Sequence, residues 1–117
     1  MTDIPIALQC GVDWFMDFVV TDPSTGNPIN VTTPKMEIRG KQTSNGPVLF
    51  SSESPITITL TQPVANQVHA VISSANSKNI LSPQTGYWDA YATRVDTGAV
   101  IQLGTGTFTS TPNTTAL

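Results

Sequence analysis

The stretch DWFMDFVV, residues 13–20, decides how this chain folds. Successive side chains of a β-strand point to opposite faces of the sheet. The even-numbered residues of the stretch, Trp14 to Val20, are all apolar, so we expect them to face a core. The odd-numbered residues combine two aspartates with Phe15 and Val19 on the opposite face. This period of two predicts a β-strand with one buried face.

Eight further short segments outside this stretch have strand character, and Gly, Pro and Asp-rich turns separate several of them. The segment Asp22–Pro28 directly follows the strand of residues 13–20, and it predicts a turn because Pro presets φ and Gly26 accepts a positive φ. Turn signals recur every eight to twelve residues, which is typical of a sandwich. The segments are Ile4–Leu8, Lys35–Arg39, Val48–Phe50, Ile56–Leu60, Val68–Ile72, Tyr87–Thr93, Val100–Leu103 and Gly106–Thr109.

The pattern lapses between Ser73 and Pro83, where Ser and Asn dominate and we expect at most one short helical turn near residues 74–80. Seven to nine short strands without a normal helix predict an all-β fold. The expected architecture is an antiparallel immunoglobulin-like sandwich. No composition break divides residues 1–117, so we expect a single domain with an extended tail over residues 110–117.

The composition agrees with this fold class. The chain has 117 residues, of which 38% are hydrophobic and only 11% charged, and it contains 18 Thr and 10 Ser. Thr and other β-branched residues favour strands. A coiled coil or long solvated helix would need many more charged residues.

Charge and hydropathy exclude several functions. The formal net charge is −3 and the five basic residues form no run, so we expect no nucleic-acid binding. No segment reaches the roughly twenty apolar residues that span a bilayer, so we expect no membrane association. Residues 1–5 lack the basic and apolar regions of a secretory signal, which predicts a soluble protein made in a cytoplasm, or one that leaves it by a route other than secretion.

One motif resembles a catalytic signature. Val95-Asp-Thr-Gly-Ala99 matches the letters of the retroviral-type aspartic protease motif, whose enzymes share two aspartates across a dimer. In those enzymes most of the fold follows the motif, whereas only 19 residues follow Gly98. Asp96 and Gly98 instead predict a hairpin turn between two strands. We therefore expect no enzyme and no catalytic residue.

The remaining polar residues form neither a catalytic carboxylate pair nor a set of metal ligands. Asp13 and Asp17 lie about 13 Å apart along one strand, beyond the roughly 5–9.5 Å that glycosidase carboxylates need. His69 is the single histidine, and we expect it in a surface role or in a cross-strand pair. Cys10 is the single cysteine and has no disulfide partner within the chain. We therefore expect no metal and no cofactor.

The remaining candidates for function are apolar residues on faces opposite the expected core. The candidate protein interface consists of Phe15, Val19, Val71, Tyr87 and Tyr91. Exposed apolar area of this kind marks interaction surfaces. Two alternatives stay open: the protein's own second sheet or loops cover these residues, or Tyr87, Tyr91 and Phe15 form an aromatic platform for carbohydrate.

A resemblance to a known family covers nearly the whole chain. An aromatic strand precedes an Asp-x-x-x-Gly-x-Pro turn and a short apolar segment, and a later strand ends in Ile-Arg. A Trp-Asp strand, a Gly hairpin and a closing Gly-to-Pro segment follow. The matching residues are Trp14–Phe18, Asp22–Pro28, Ile29–Val31, Met36–Arg39, Trp88–Thr93, Thr97-Gly98 and Gly106–Thr115.

In this order the segments resemble small bacteriophage virion structural proteins with an immunoglobulin-like sandwich, related to the N-terminal domains of baseplate and upper tail-fibre proteins. The resemblance implies a non-enzymatic adaptor or assembly subunit of the tail, baseplate, fibre attachment or collar. A capsid decoration protein is the alternative position in the virion. It implies other virion proteins and copies of the same chain as partners, and synthesis in the bacterial host cytoplasm. The matching motifs are turn and core features and carry no chemistry.

Overall fold

The computed structural model describes residues 4–40, 47–53, 56–78 and 84–112. In this part of the chain eight strands and one short helix form. They are β1 (Ile6–Gln9), β2 (Trp14–Val19), β3 (Val31–Gly40), β4 (Val48–Ser51), β5 (Thr59–Thr61), β6 (Gln67–Ile72), α1 (Ser74–Ser77), β7 (Gln84–Arg94) and β8 (Val100–Thr111).

The strands form two sheets packed face to face. One sheet has five strands in the order β1-β8-β7-β3-β4, and the other has three in the order β2-β6-β5. Every pair is antiparallel except β1 with β8, which is parallel. This arrangement confirms the predicted all-β, immunoglobulin-like sandwich. The one exception to the antiparallel pattern is the first strand.

The core lies between the sheets and centres on Trp88 of β7. Its ring packs against Phe18 of β2 with centroids 5.9 Å apart, which joins the two sheets. The indole N–H donates to the carbonyl oxygen of Ile4 over 2.7 Å, so the buried polar group is satisfied. Gly104 of β8 makes room for the ring, because a Cβ there would lie 2.6 Å from Trp88 Cη2.

The predicted inward stripes are confirmed on several strands. Met36 and Ile38 of β3 are buried, as are Trp88, Ala90 and Ala92 of β7. Buried side chains from both sheets and from the connection before β5 complete the core with Ile6, Leu8, Phe18, Val31, Phe50, Ile58, Val68, Ala70, Ile72 and Phe108. On these strands alternation therefore identified the buried face correctly.

Several boundaries differ from the sequence prediction. The segments expected at 100–103 and 106–109 are one continuous strand, β8. Of the strand expected at Ile56–Leu60, only Thr59 and Leu60 lie in β5, because the N–H groups of Thr57 and Ile58 both donate to Ser51 O over 2.9 Å. Those two bonds make residues 57 and 58 part of the connection.

Two further predictions extend beyond the described residues. The helical turn expected near 74–80 forms at Ser74–Ser77, with Ser73 as its N-cap, and residues 79 and 80 lie outside the described part. The expected tail of residues 110–117 begins inside β8, which runs to Thr111. Residues 113–117 of that tail lie outside the described residues.

Candidate interaction surfaces

The outer side of the three-stranded sheet carries three of the five candidate interface residues. Phe15 and Val19 project from β2 and are 66% and 60% exposed. Phe15 lies directly opposite the half-buried Val71 of β6 in the antiparallel register. We call these three residues, with Asp17 and His69 between them, the β2–β6 face. It is an apolar surface with one polar pair at its centre.

That polar pair confirms the expectation for the single histidine. Asp17 and His69 are cross-strand partners, and Asp17 Oδ1 lies 2.5 Å from His69 Nδ1. The imidazole ring also lies beside the ring of Phe15, with centroids 6.1 Å apart. The Asp13 carboxylate accepts a 2.6 Å hydrogen bond from Ser74 N. Because Asp13 and Asp17 bind different partners, they do not act as a pair.

The other two candidate residues lie on the opposite side of the molecule. Tyr87 and Tyr91 project outward from β7, in the five-stranded sheet, and are 42% and 37% exposed. Asp89 lies between them on the same side, opposite Glu37 of β3 in the register. We call the two tyrosines and Asp89 the β7 face. The predicted candidates therefore belong to two separate surfaces and form no single interface.

The β7 face is more polar than the β2–β6 face. Tyr91 Oη donates to Asp89 Oδ2 over 3.4 Å, and Gln102 Nε2 donates to Tyr91 Oη over 3.3 Å. Partial burial raises the pKa of Asp89, and the nearby Glu37 carboxylate adds to this effect. The surface thus combines two aromatic rings with a carboxylate and an amide.

The separation of the faces corrects one prediction. Phe15 lies on the three-stranded sheet, whereas Tyr87 and Tyr91 lie on the five-stranded sheet. The core separates them, so the three rings cannot form one aromatic platform for carbohydrate. A platform built from the two tyrosines alone is compatible with the structure.

The Asp-Thr-Gly motif forms the predicted hairpin between β7 and β8. Gly98 adopts φ +73°, and its N–H donates to Arg94 O over 2.9 Å. The Asp96 carboxylate is bound by both Nε and Nη2 of Arg94, at 2.9 and 2.7 Å. These bonds lower the pKa of Asp96. Its carboxylate is an ion-pair partner at an exposed turn.

A shallow cleft of about 370 Å³ lies beside this hairpin, between it and the turn that follows β2. Asp22, Asn30, Arg94 and Asp96 contribute its polar lining. Asp22 accepts hydrogen bonds from both the backbone N–H and the hydroxyl of Ser24, which lower its pKa. Asp22, Arg94 and Asp96 are therefore engaged in holding the two turns.

Other kinds of site find little support in the described residues. Within the four described ranges no group of three or more His, Cys, Asp or Glu side chains could hold a metal ion. Cys10 is buried and unpaired there. No helix in the same part of the chain is long and apolar enough to cross a membrane.

Comparison with known proteins establishes the fold. No family model and no curated protein sequence matches this chain. Among solved structures it is similar to the NK cell receptor NKp44, a triggering partner in natural cytotoxicity, with a TM-score of 0.52 and 10% identity over 95% of this chain and 100% of that one. It is also similar to Tim-1, with a TM-score of 0.54 and 9% identity over 100% and 99% of the two chains. At this identity the likeness shows an immunoglobulin-like fold.

Sequence reasoning missed two features of the site. The separation of the candidate residues onto opposite sheets depends on strand order, which alternation along single strands does not reveal. The second missed feature is the position of β2 at the edge of its sheet, where β6 is its only partner among the described residues. The sequence feature that could have indicated the edge position is the mixed outer face of residues 13–20, where Phe15 and Val19 alternate with charged residues.

Proposed function

We propose that this chain is a non-enzymatic structural subunit of a bacteriophage virion, an adaptor or assembly subunit of the tail, baseplate, fibre attachment or collar. The resemblance of its turn and core motifs to that family, from Trp14 to Thr115, supports the proposal. So does the low charged fraction of 11%, because surfaces that pack among neighbours are depleted of charge.

The observation that carries the proposal is the presence of exposed apolar or aromatic side chains on both sides of the sandwich. Phe15 and Val19 mark one side, and Tyr87 and Tyr91 mark the other. A subunit within an ordered assembly contacts neighbours on more than one side, whereas a receptor domain with one ligand needs one surface. The two faces differ in chemistry, so we expect them to bind different neighbours.

The test is to purify the phage particles that carry this gene and to search them for the chain by mass spectrometry. We expect the chain in the particle, and fractionated tails and capsids distinguish an adaptor from a capsid decoration protein. In complemented particles, replacing Phe15 and Val19 by Ser should reduce incorporation, while Thr107→Ser, at an exposed position on β8, should not. Absence of the chain from purified particles would refute the proposal.

A second candidate is a carbohydrate-binding module on the β7 face. Tyr87 and Tyr91 are exposed on one strand with the Asp89 carboxylate between them, and aromatic rings with nearby polar groups suit sugar rings. A glycan array with the purified chain tests it. Binding should fall on Tyr91→Ala and persist on Phe15→Ala, the matched change on the opposite side. A silent array dismisses this candidate.

A further inference from the structure

The centre of the β7 face is a carboxylate to which no basic side chain of the described residues is ion-paired. Asp89 is half-buried, and its Oδ2 accepts a hydrogen bond from Tyr91 Oη over 3.4 Å. Partial burial raises the pKa of Asp89, and the like charge of Glu37, its register partner on β3, raises it further. A positive charge at this point would therefore stabilise the ionised carboxylate.

The basic residues on the neighbouring strand are bound to other partners. Arg39 Nη2 lies 2.5 Å from Glu37 Oε1, so that carboxylate balances its charge. Lys35 Nζ lies 3.8 Å from Glu53 Oε1. Because each of these pairs carries no net charge, Asp89 is the residue that gives the middle of this surface its negative charge.

Two exposed tyrosine rings flank the carboxylate along the strand. Tyr87 and Tyr91 each lie two residues from Asp89 on the same side of β7, a distance of about 7 Å along a strand. The face of an aromatic ring attracts cations that lie within about 6 Å of its centre. A cationic side chain bound to Asp89 would therefore also contact ring surface.

A β-bulge determines which side chain lies beside the second ring. The register between β7 and β8 shifts after Ala90, because Gly104 lies opposite Ala90 and Gln102 lies opposite Tyr91. Leu103 is therefore the extra residue of the bulge. Without it, strict alternation would place Leu103 beside Tyr91 on this face. The bulge puts an amide there instead, and Gln102 Nε2 donates to Tyr91 Oη over 3.3 Å.

We propose that the β7 face binds the guanidinium group of an arginine side chain on a partner protein, with Asp89 as its counter-charge and the flanking tyrosine rings as the surface on which the side chain packs. A guanidinium is planar, presents two parallel N–H groups to one carboxylate and stacks on aromatic rings, whereas an ammonium is a point charge. The hydrogen bonds from Gln102 through Tyr91 to Asp89 already order the site, so little freedom is lost on binding.

The charge of the site favours this occupant over a carbohydrate. Aromatic rings suit both ligands, but a neutral sugar leaves the Asp89 carboxylate without a counter-charge. The inference rests on the proposed function, since it names the group that a neighbouring subunit presents to the β7 face. Its test needs no phage particle, so failure of the test would leave the virion role standing.

The test uses small probes that each carry one side chain, followed by NMR of the purified full-length chain. N-acetyl-arginine methylamide supplies the guanidinium, the lysine analogue has the same charge, and the citrulline analogue has the same shape without charge. Each probe is titrated to roughly 100 mM at constant ionic strength, which covers the weak binding of a single side chain. We expect the arginine probe to shift the signals of Tyr87, Asp89 and Tyr91, with a dissociation constant at least about threefold lower than that of the lysine probe. The citrulline probe should give no saturable shift.

Matched substitutions assign the binding to this face. Asp89→Asn removes the charge and keeps the shape, so it should weaken binding of the arginine probe at least about threefold. Asp17→Asn removes the same charge from the β2–β6 face and should leave the dissociation constant unchanged. Tyr87→Leu should weaken binding about twofold, whereas Tyr87→Phe, which keeps the ring, should not. A dispersed NMR spectrum checks that each variant folds.

Several outcomes would overturn the proposal. Unshifted signals with the arginine probe, or equal binding of the citrulline probe, would exclude a site based on charge. Equal binding of the lysine probe would exclude a preference for guanidinium. Equal effects of Asp89→Asn and Asp17→Asn would show attraction to the net charge of the chain. Binding of a glycan to the β7 face without binding of the arginine probe would assign this face to carbohydrate.

Discussion

Gly104→Ala tests how tightly the two sheets pack around Trp88. An added Cβ would lie 2.6 Å from Trp88 Cη2 and 3.1 Å from Phe18 Cε1. Carbon atoms prefer separations of about 3.5–4.0 Å, so the closer contact overlaps by about 1 Å. Trp88 is almost fully buried and its indole N–H is bonded to Ile4 O, so the ring cannot turn aside without losing that bond.

The expected cost follows from this overlap. Overpacking a well-filled core costs about 1–3 kcal/mol, and the reduced freedom of the unfolded chain offsets about 0.4–1 kcal/mol for a Gly-to-Ala change. We therefore expect a loss of about 1–2 kcal/mol in the free energy of unfolding. For a domain of this size that is a fall in Tm of roughly 4–8 °C. Urea unfolding and thermal unfolding measure the two quantities.

A double-mutant cycle identifies the cause. Trp88→Phe removes Cη2, so Gly104→Ala should cost clearly less in that background, where the contact with Phe18 remains. Thr107→Ala, an exposed change on the same strand, should stay within about 0.5 kcal/mol of the parent. If Gly104→Ala costs the same with and without the indole ring, the clash with Trp88 is not the cause and the packing argument fails.

Three further predictions concern the hairpin and the β7 face. Gly98→Ala forces a Cβ onto a backbone with φ +73° and should cost about 1–2 kcal/mol in urea unfolding, whereas a neutral result would contradict the turn geometry. Asp96 has a folded-state pKa below 3.8 because Arg94 binds it, so its contribution to stability is present above pH 3.8 and is lost as the pH falls through the folded value. Asp96→Asn should remove this acid-dependent part of a stability profile, and an unchanged profile would argue against the ion pair. Asp89 has a raised pKa, so stability should fall as the pH rises from 3.8 through the folded value. Asp89→Asn should abolish that fall, and an NMR titration of the carboxyl group that gives no upward shift would contradict it.

Much of the fold was predictable because local alternation reports burial. The apolar stripe Trp14–Val20 and the pair Met36 and Ile38 face the core as predicted. The Asp96–Gly98 turn was also predictable from local sequence, because a hairpin turn depends on the φ values that a few neighbouring residues can adopt. The ends of the strands were harder to predict from the sequence. The end of the segment at Ile56 depends on hydrogen bonds from Thr57 and Ile58 to Ser51, which no local pattern shows.

The candidate site was predictable only as a set of outward residues. Alternation places Phe15, Val19 and Tyr91 opposite the core stripes, and their exposure follows from that. Their grouping depends on which strands share a sheet, and strand order is a property of pairing between distant segments. The pairing of Asp17 with His69 joins residues 52 positions apart, so the sequence indicated the cross-strand role of His69 without its partner.

The sequence by itself determined the class of fold, the inward face of most strands, the hairpin at Asp96 and the scarcity of charge, because each depends on residue type and short spacing. Only the tertiary structure decided that β1 runs parallel to β8, that the candidate interface divides into the β2–β6 and β7 faces, and that β2 is an edge strand in the described part of the chain. These features depend on long-range strand pairing. Hydrogen bonds between strands can join any two segments, and the packing of the whole core selects which ones pair.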